Sequence, residues 1–380
     1  MALEIEKLVS GGRGLAHING KSVFVQNALP GEVVEVDVIS EKRGFIEAET
    51  RQFITVSPDR ITPPCPYYGI CGGCDFQYVS SSVSARLKED IVKYNLKRIG
   101  AVDDDVEFLT PSYGAFEGFR SRVRLHVDLK TKKQGFLMKK SNKLVEVTHC
   151  PALDNKLNAL LATSGGEVFK KARSLMFENK INKTTGFVEV PLFAGDESVS
   201  MGSDNVRVTV SGVPYSVNAN VFFQSNLKVL PDLFSFVKEH AIGENIMDLY
   251  SGVGTFSALF EGSGKNLYAV ERQKECLALS RKNAPSAISY TSDVASWARK
   301  TKTQVDCVIV DPPRVGLEDG VPEMISSWNA ERIIYISCNS VTASRDIPLF
   351  KGYKLTRAKV FDFYPGSGHE ESGFILDRIH

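Results

Sequence analysis

The segment Arg332-Ile-Ile-Tyr-Ile-Ser-Cys338-Asn339 decides the fold class of this chain. Its apolar, β-branched run is typical of a buried parallel strand, and open α/β sheets bind ligands at the carboxyl ends of such strands. The run Val305-Asp-Cys-Val-Ile-Val-Asp311 ends in the same way and precedes Pro312-Pro313-Arg314. We therefore predict that Cys338 and Asp311 lie side by side at one edge of a sheet. Cys338 is then a candidate nucleophile, although free cysteine is also among the residue types most often packed in a core.

Repeated strand, glycine-loop and helix patterns surround this segment from about residue 244 onward. Such βα units are typical of a doubly wound parallel sheet. We therefore predict that residues 216–380 form a Rossmann-like domain. Its further predicted elements are strands over Ile246–Tyr250, Leu267–Glu271 and Ile288–Asp293, a helix over Glu275–Asn283, and a terminal strand pair over Ala358–Phe363 and Phe374–Ile379.

The residues before this domain divide into two parts. Residues 1–57 alternate short strand-like runs with glycine turns, which predicts a small β-barrel. Prolines from Pro58 onward break that pattern, so residues 58–215 are predicted to form a central α+β domain. Within it, apolar spacing predicts a helix over Leu87–Ile99 that ends at Gly100, and a helical stretch around 153–178.

The composition bounds the cellular setting and the partners. Among 380 residues, 46 lysines and arginines nearly balance 45 aspartates and glutamates, so net charge neither demands nor excludes a nucleic-acid partner. The N-terminus lacks the pattern of a signal peptide, and no apolar run is long enough to span a bilayer. We expect a cytoplasmic, monomeric protein without a membrane partner.

A glycine loop predicts a nucleotide pocket. Gly252 and Gly254 lie where the first strand of the C-terminal domain turns into the next element, so that a ligand can approach the backbone. A dinucleotide fingerprint requires a third glycine where this chain has Ser257, which argues against a pyrophosphate cradle. Glu271 and Asp293 end the next two strands, where carboxylates can bind ribose hydroxyls and an adenine amine. This pattern favours S-adenosylmethionine; the alternative is that both carboxylates are merely solvated.

Four of the seven cysteines form a ligand-like set. Cys65, Cys71 and Cys74 share one glycine-rich loop, and Cys150 is distant in sequence. Four thiolates suit either a zinc ion or an iron–sulfur cluster. The five-residue gap and the glycines, which free backbone N–H groups for sulfides, favour the cluster over zinc. A structural or RNA-positioning role is expected for it.

Taken together, these motifs resemble the RNA uracil-C5 methyltransferase family over nearly the whole chain. The segments around Gly12-Arg13-Gly14 and Ala28–Glu32 look like a TRAM domain, an OB-type barrel that binds RNA. Asn220–Asn226 looks like the family's Phe-Gln segment. The resemblance implies a [4Fe–4S] cluster at the four cysteines, as in the ribosomal RNA members, and 23S ribosomal RNA as the substrate. It also implies cofactor contacts at Gln224, Tyr250, Gly252, Gly254, Thr255, Glu271, Asp293 and Asp311.

The family resemblance also assigns the chemistry. Cys338 within Ser337-Cys338-Asn339 is expected to add to C6 of uracil, and Glu371 within His369-Glu370-Glu371 to remove the C5 proton. Arg314 is expected to contact RNA phosphate, the enolate oxygen or a surface carboxylate. The alternatives are transfer RNA as substrate, methylation of an amino group or another RNA carbon, and a catalytically silent iron–sulfur RNA-binding protein.

Overall fold

The computed structural model describes residues 2–100, 102, 105–163, 165–300 and 304–380. Its strands are β1 (Ala2–Glu4), β2 (Lys7–Val9), β3 (Arg13–Ile18), β4 (Lys21–Gln26), β5 (Val33–Glu41), β6 (Phe45–Thr55), β7 (Glu107–Ser112), β8 (Arg122–Asp128), β9 (Lys133–Leu137), β10 (Leu144–Glu146), β11 (Val188–Ala194), β12 (Val199–Ser200), β13 (Val206–Val210), β14 (Val213–Val217), β15 (Asn245–Leu249), β16 (Asn266–Glu271), β17 (Ile288–Thr291), β18 (Cys307–Val310), β19 (Arg332–Ser337), β20 (Tyr353–Phe361) and β21 (Ser372–Arg378). Its α-helices are α1 (Ser81–Arg98), α2 (Asn155–Ala162), α3 (Glu167–Phe177), α4 (Leu230–His240), α5 (Lys274–Asn283), α6 (Val294–Ala298), α7 (Val321–Ser327) and α8 (Ser340–Asp346), and short 3-10 helices cover Ser257–Phe260 and Ile347–Leu349. Within the described ranges, every helix is too short or too polar to cross a bilayer.

The N-terminal strands form one six-stranded sheet in the order β1-β5-β6-β4-β3-β2. Its pairs are antiparallel except β4 with β6, which run parallel. The residues after β1, at one end of the sheet, contact β3 near the other end, where Glu6 N donates to Leu15 O at 2.9 Å. The sheet is therefore strongly curved. Leu3, Val23 and Val34 are buried on its inner side. Alternation of apolar and polar residues along these short strands therefore produces a separate small core.

The central strands form an antiparallel sheet in the order β10-β9-β8-β11-β12. Its buried face packs against α2 and α3 through an apolar cluster that includes Leu125, Leu157 and Phe169. The predicted helical stretch around 153–178 is therefore two helices. Gly165, with φ of +80°, lies between them, since a left-handed residue cannot continue a helix.

The C-terminal sheet has eight strands in the order β17-β16-β15-β18-β19-β21-β20-β7. The first five are parallel and β21 runs antiparallel to β19, as predicted for a doubly wound sheet that closes on a terminal strand pair. Buried clusters cover both faces. The strands β18 and β19 are apolar throughout because helices exclude water from both sides of the sheet.

Helix α1 packs on this sheet and strand β7 is part of it, although both precede β15 by more than a hundred residues. The helix follows the cap Ser80, whose hydroxyl accepts from Val83 N, and so begins six residues before the predicted start at Leu87. Its C-cap is Ile99, directly before Gly100, as predicted. It packs on the C-terminal core, and β7 pairs in parallel with β20. The division into domains at 1–57, 58–215 and 216–380 stays a proposal. Within 58–215, α1 and β7 pack with the C-terminal sheet, whereas the later elements form the core of the central sheet.

A buried ion pair joins α1 to the segment after β20. Lys88 Nζ lies 2.6 Å from Asp362 Oδ1, and both side chains are almost completely excluded from solvent. Lys88 also donates to Tyr364 O at 3.1 Å, and Ser84 Oγ donates to Asp362 at 2.7 Å. Because buried charges are tolerated only when they are paired, this network fixes the position of α1 on the sheet.

We expect Lys88→Met to lower the free energy of unfolding by about 3–5 kcal/mol, because it leaves the Asp362 carboxylate buried without its cation. Denaturant unfolding followed by circular dichroism would measure this loss. Lys93→Met is the matched control on the same helix: its ion pair with Glu89 is part-exposed, so a loss below about 1 kcal/mol is expected. Equal losses in the two variants would contradict the argument.

Candidate active site

The direction of strand order reverses between β15 and β18, which opens a crevice at the carboxyl ends of the parallel strands. A cavity of about 320 Å³ lies there. The residues that line it include eight of the predicted site residues, namely Gln224, Tyr250, Gly252, Glu271, Asp293, Asp311, Cys338 and Glu371. The structure therefore brings together side chains that are up to 147 residues apart in the sequence.

The floor of this cavity is built by the loop after β15. Tyr250 and Gly252 both adopt left-handed backbone conformations, with φ of +59° and +55°. Gly252 N donates to Glu271 Oε2 at 3.1 Å, and Gln273 N donates to Glu271 Oε1 at 2.6 Å. Two backbone donors thus fix the Glu271 carboxylate, whose remaining lone pairs can accept from ligand hydroxyls. The role of Glu271 in ribose binding stays a prediction.

Gly254 and Thr255 differ from the prediction, because neither lines the cavity. Gly254 has a φ of +78°, and a Cβ there would come within 2.8 Å of Ser280 Oγ on α5. Thr255 O accepts from the hydroxyl of Tyr215 at 2.9 Å. Close packing of the loop against α5 and β14 therefore explains both residues without a ligand contact.

Two polar side chains present acceptors to the cavity. Gln224 is 5% exposed, and its Oε1 has no protein partner among the described residues. Since buried acceptors are rarely left unpaired, a ligand donor is the expected partner. Asp293 accepts from Ser296 N at 2.8 Å as the cap of α6, and this hydrogen bond lowers the pKa of Asp293, so the carboxyl is ionised.

Cys338 lies directly after β19, at the junction of two cavities. The second cavity, of about 470 Å³, also contains Tyr364 and residues of the cysteine loop in its lining. Phe222, Arg314, Cys338 and Glu371 line both cavities. A molecule in the first cavity and another in the second can therefore meet at the thiol and the Glu371 carboxyl.

The carboxyl groups around the thiol have unusual acidities. Glu371 is 3% exposed, and burial raises its pKa well above the ordinary value, with the charges of Asp311 and Glu370 raising it further. Burial, followed by the charge of Asp248, also raises the pKa of Asp311. A carboxyl with a raised pKa is a better acceptor for a proton from carbon near neutral pH.

The same surroundings hold Cys338 in its neutral form. Burial, followed by the charges of Glu371 and Asp311, raises the pKa of this thiol to about 12, against an opposing effect of Arg314. The thiolate, which is the reactive form, is therefore scarce in the free protein. Nucleophilic attack from Cys338 needs a cation or a proton acceptor that arrives with the ligands.

We expect the alkylation rate of Cys338 in the free protein to keep rising about tenfold per pH unit up to at least about pH 10, because the reactive thiolate increases until the raised pKa is reached. Iodoacetamide labelling followed by peptide mass spectrometry would measure it. Steric shielding lowers the rate equally at each pH, so the profile reports acidity alone. A plateau below pH 8 would contradict the raised pKa.

Several residues of the site escaped the sequence analysis. Glu318 lines the first cavity and accepts from the Tyr250 hydroxyl, but no local pattern distinguishes it from other surface glutamates. Asp248 is buried and accepts from Ser257 N at 2.9 Å and Ser257 Oγ at 2.6 Å. Its signal was a polar residue within the apolar strand β15.

The four predicted ligand cysteines surround a third cavity, of about 160 Å³. All are part-exposed, and burial raises the pKa of the Cys71, Cys74 and Cys150 thiols. Among the residues that the structure describes, no three metal-ligating side chains converge closely enough to hold a single metal ion. The four thiols therefore line a cavity, and they do not converge on the position of a single metal ion.

Comparison with family models matches both ends of the chain. Residues 298–379 match the model described as tRNA (Uracil-5-)-methyltransferase, and residues 1–50 match the TRAM domain. The first match covers β18 to β21, including Cys338 and Glu371, and the second covers most of the N-terminal sheet.

Similar proteins extend these matches to the full length. A 23S rRNA (uracil(1939)-C(5))-methyltransferase from Erwinia tasmaniensis is 29% identical over 100% of this chain and 96% of its own. An RNA methyltransferase from Treponema denticola, itself uncharacterized, is 29% identical over 97% of both chains. The crystal structure of a tRNA (uracil-54, C5)-methyltransferase from Pyrococcus abyssi, in complex with S-adenosyl-L-homocysteine, superposes with a TM-score of 0.74 over 99% of this chain and 100% of that one. At 23% identity this likeness shows a shared fold.

Proposed function

We propose, from the premise that this chain belongs to the RNA uracil-C5 methyltransferase family, that it methylates C5 of a specific uridine in 23S ribosomal RNA. It is an S-adenosylmethionine-dependent enzyme with a TRAM domain and a Rossmann-like catalytic domain. The choice of 23S RNA is supported by full-length relatives that bear this activity in their names. The single observation that carries the reaction is the meeting of two cavities at Cys338 and Glu371.

Cys338 is proposed to activate the uracil ring. C5 of uracil is a poor nucleophile, whereas addition of a thiolate to C6 forms a C–S bond and moves the ring's electron pair toward C5 and O4. The thiol must lose its proton first. Arg314, whose charge lowers the pKa of Cys338, lines both cavities and is placed to stabilise the thiolate and then the enolate oxygen.

Glu371 is proposed to complete the reaction. After C5 has formed its bond to the methyl group, its proton must leave so that the C6–S bond can break, with its electron pair returning to sulfur. The raised pKa and burial of Glu371 suit a carboxylate that accepts a proton from carbon. The preceding residue, Glu370, accepts from Ser340 through one carboxylate oxygen and does not line the first cavity, whereas Glu371 lines both cavities.

The first cavity is proposed to bind the cofactor. S-adenosylmethionine supplies a methyl group that is electrophilic because it is bonded to a sulfonium. Glu271 is proposed to accept from the ribose hydroxyls, and Asp293 from the adenine amine. Gln224, whose amide oxygen lacks a protein partner among the described residues, and Asp311 are proposed to hold the amino acid end and its ammonium group. Tyr250 and Gly252 shape the floor of the cavity.

The second cavity is proposed to receive the uridine. Uracil within a duplex is stacked and hides C5 and C6, so the target must be single-stranded or flipped out. Phe222, 58% exposed where the two cavities meet, can stack on a base. Arg120 lines the same cavity and can pair with a phosphate. The TRAM domain supplies a further RNA-binding surface.

The four cysteines are proposed to hold a [4Fe–4S] cluster. Their arrangement around a cavity, with glycine N–H groups such as Gly73 N directed at sulfur, fits a cluster with its own sulfides better than one zinc ion. Such a cluster would order the loop that forms one wall of the second cavity. Anaerobically purified protein should be brown, absorb near 400 nm and contain about four irons per chain. A colourless protein with one bound zinc would overturn this assignment.

Transfer of a labelled methyl group to purified RNA tests the proposed function. Unmodified 23S ribosomal RNA and bulk transfer RNA would be incubated separately with the protein and radiolabelled S-adenosylmethionine, then digested and analysed for nucleosides. We expect 5-methyluridine in 23S RNA at one or a few mapped positions. Label only in transfer RNA would replace the proposed substrate, and label on an amino group or another carbon would overturn the chemistry.

A further inference from the structure

A series of hydrogen-bonded side chains connects the N-terminal domain to the segment that contains Glu371. Asn95 Nδ2, on α1, donates to Ser10 Oγ at 2.8 Å and to Ser340 Oγ at 2.7 Å. The Ser340 hydroxyl in turn donates to Glu370 Oε1, which also accepts from Ser340 N at 3.1 Å. The Ser340 hydroxyl accepts from Asn95 and donates to the Glu370 carboxylate, which can only accept when it is ionised, so these hydrogen bonds run from Asn95 through Ser340 to Glu370.

The hydrogen-bonded side chains near the reactive groups are buried. Ser340 is fully buried, and Asn95 and Glu370 are each 4% exposed. Burial of a carboxyl costs several kcal/mol unless donors and charges compensate. The two Ser340 donors and the more distant positive charges of Lys88 and Arg314 offset part of this cost, and burial still raises the pKa of Glu370. Burial of this carboxyl therefore lowers stability, and a further role would explain it.

Its place in the sequence suggests that role. Ser340 follows the nucleophile Cys338 by two residues, and Glu370 immediately precedes the base Glu371. The backbone pairing of Ser337 with Ser372 joins the two segments where β19 meets β21, and the link from Ser340 to Glu370 is a further connection beyond the end of that pairing. Any movement between the two segments changes the distance between Cys338 and Glu371.

The N-terminal domain touches the same segment a second time. Gly368 packs so closely on the loop after β2 that a Cβ there would lie 2.4 Å from Gly11 C. Gly12 has a φ of +68° and faces Gly368 from the same loop. The loop of Ser10, Gly11 and Gly12 therefore supports the Glu371 segment through packing as well as through Asn95.

We propose that Glu370 is a positioning residue for uracil methylation, which holds Cys338 and Glu371 in register through Ser340 and is anchored to the N-terminal domain through Asn95 and Ser10. This inference rests on the proposed function. Glu370 then has two separate effects. Its carboxylate oxygen accepts from Ser340 and fixes the position of that residue, and its negative charge raises the pKa of the neighbouring base Glu371. The ionisable groups that face Glu371 are Asp311, Glu370, Cys338 and Tyr364.

Three variants test the proposal in single-turnover reactions with 23S RNA, in which formation and loss of the covalent protein–RNA adduct are followed on denaturing gels. Glu370→Ala removes both the acceptor and the charge. Glu370→Gln keeps an acceptor oxygen for Ser340 but removes the charge. Ser340→Ala removes the hydroxyl and retains the backbone donor. Ser344→Ala is the matched control, because its hydroxyl is buried on the same helix without a partner among the described residues.

We expect Glu370→Ala to slow adduct formation and loss by at least about tenfold each, and Ser340→Ala to slow them several-fold. In Glu370→Gln, adduct formation should return to within about threefold of the wild type. The acid limb of adduct loss should move to lower pH, since the charge of Glu370 raises the pKa of Glu371 and a less basic carboxylate is ionised at lower pH.

The outcomes separate this inference from the function on which it rests. A wild-type protein that forms neither adduct nor 5-methyluridine would reject the proposed function. An active wild type with Glu370→Ala and Ser340→Ala both within twofold of it would reject the positioning role alone. Equal losses in Ser340→Ala and Ser344→Ala would show a general packing effect and also reject it. If Glu370→Ala does not fold, Glu370→Gln and Ser340→Ala still decide between these results.

Discussion

Replacing Cys338 by alanine is expected to abolish methylation and the covalent RNA adduct, with a loss in kcat of at least about 10⁴-fold. The loss is this large because C5 has no other route to nucleophilic character once the thiol is gone. Cofactor binding should persist, since the other residues that line the first cavity are unchanged. Methyl transfer to 23S RNA and isothermal titration with S-adenosylhomocysteine would measure the two properties separately.

Cys307→Ala provides the control for loss of a thiol as such. Cys307 lies on the neighbouring strand β18 and is completely buried, so this change should lower the melting temperature by a few degrees and leave turnover within a few-fold of the wild type. Turnover by Cys338→Ala at more than about a hundredth of the wild-type rate would show that the thiol is not the nucleophile.

Replacing Glu371 by glutamine is expected to trap the adduct. Glutamine preserves the shape of the side chain but cannot accept the C5 proton, so the protein should form the C6–S bond and methylate C5, then release product roughly 10²–10⁴-fold more slowly. A stable protein–RNA band on a denaturing gel, whose mass includes the added methyl group, would measure this result.

The step at which the reaction stops shows which proton Glu371 accepts. Glu323→Gln changes an exposed glutamate on α7 and should give no trapped species. If Glu371→Gln is slow but accumulates no adduct, then Glu371 acts before addition at C6, for example as the acceptor of the Cys338 proton. If the variant releases product at the normal rate, another group removes the C5 proton.

Local sequence patterns predicted the elements that carry the chemistry. The predicted strand that ends at Cys338 is β19, and the one that ends at Asp311 is β18; the two are adjacent and parallel. Apolar runs of this kind are unambiguous because both faces of the sheet are covered. The helix before Gly100 was also recognised, although its first six residues were missed because a serine-rich stretch, rather than an apolar stripe, precedes Leu87.

Contacts between distant segments had no local signal. Lys88 and Asp362 are 274 residues apart, and each has the sequence context of an ordinary surface charge. The packing of Gly254 on α5 likewise depends on Ser280, which no spacing rule connects to the glycine loop. Glu370 and Glu371 are the same residue type, and the different surroundings of their carboxyl groups appear in the structure: Ser340 donates to Glu370, whereas Glu371 lines the first cavity.

The pairing of β7 with β20 also determines when the C-terminal sheet can form during protein synthesis. Glu107 and Arg357 form an ion pair across these strands although 250 residues separate them. The edge strand therefore leaves the ribosome long before its partner exists, and its hydrogen-bonding groups stay unpaired until β20 has been made. Contacts of such long sequence separation slow folding and leave an open edge exposed in the meantime. The eight-stranded sheet can be completed only after β20 and β21 have emerged, so we expect nascent chains that lack β20 to depend on chaperones.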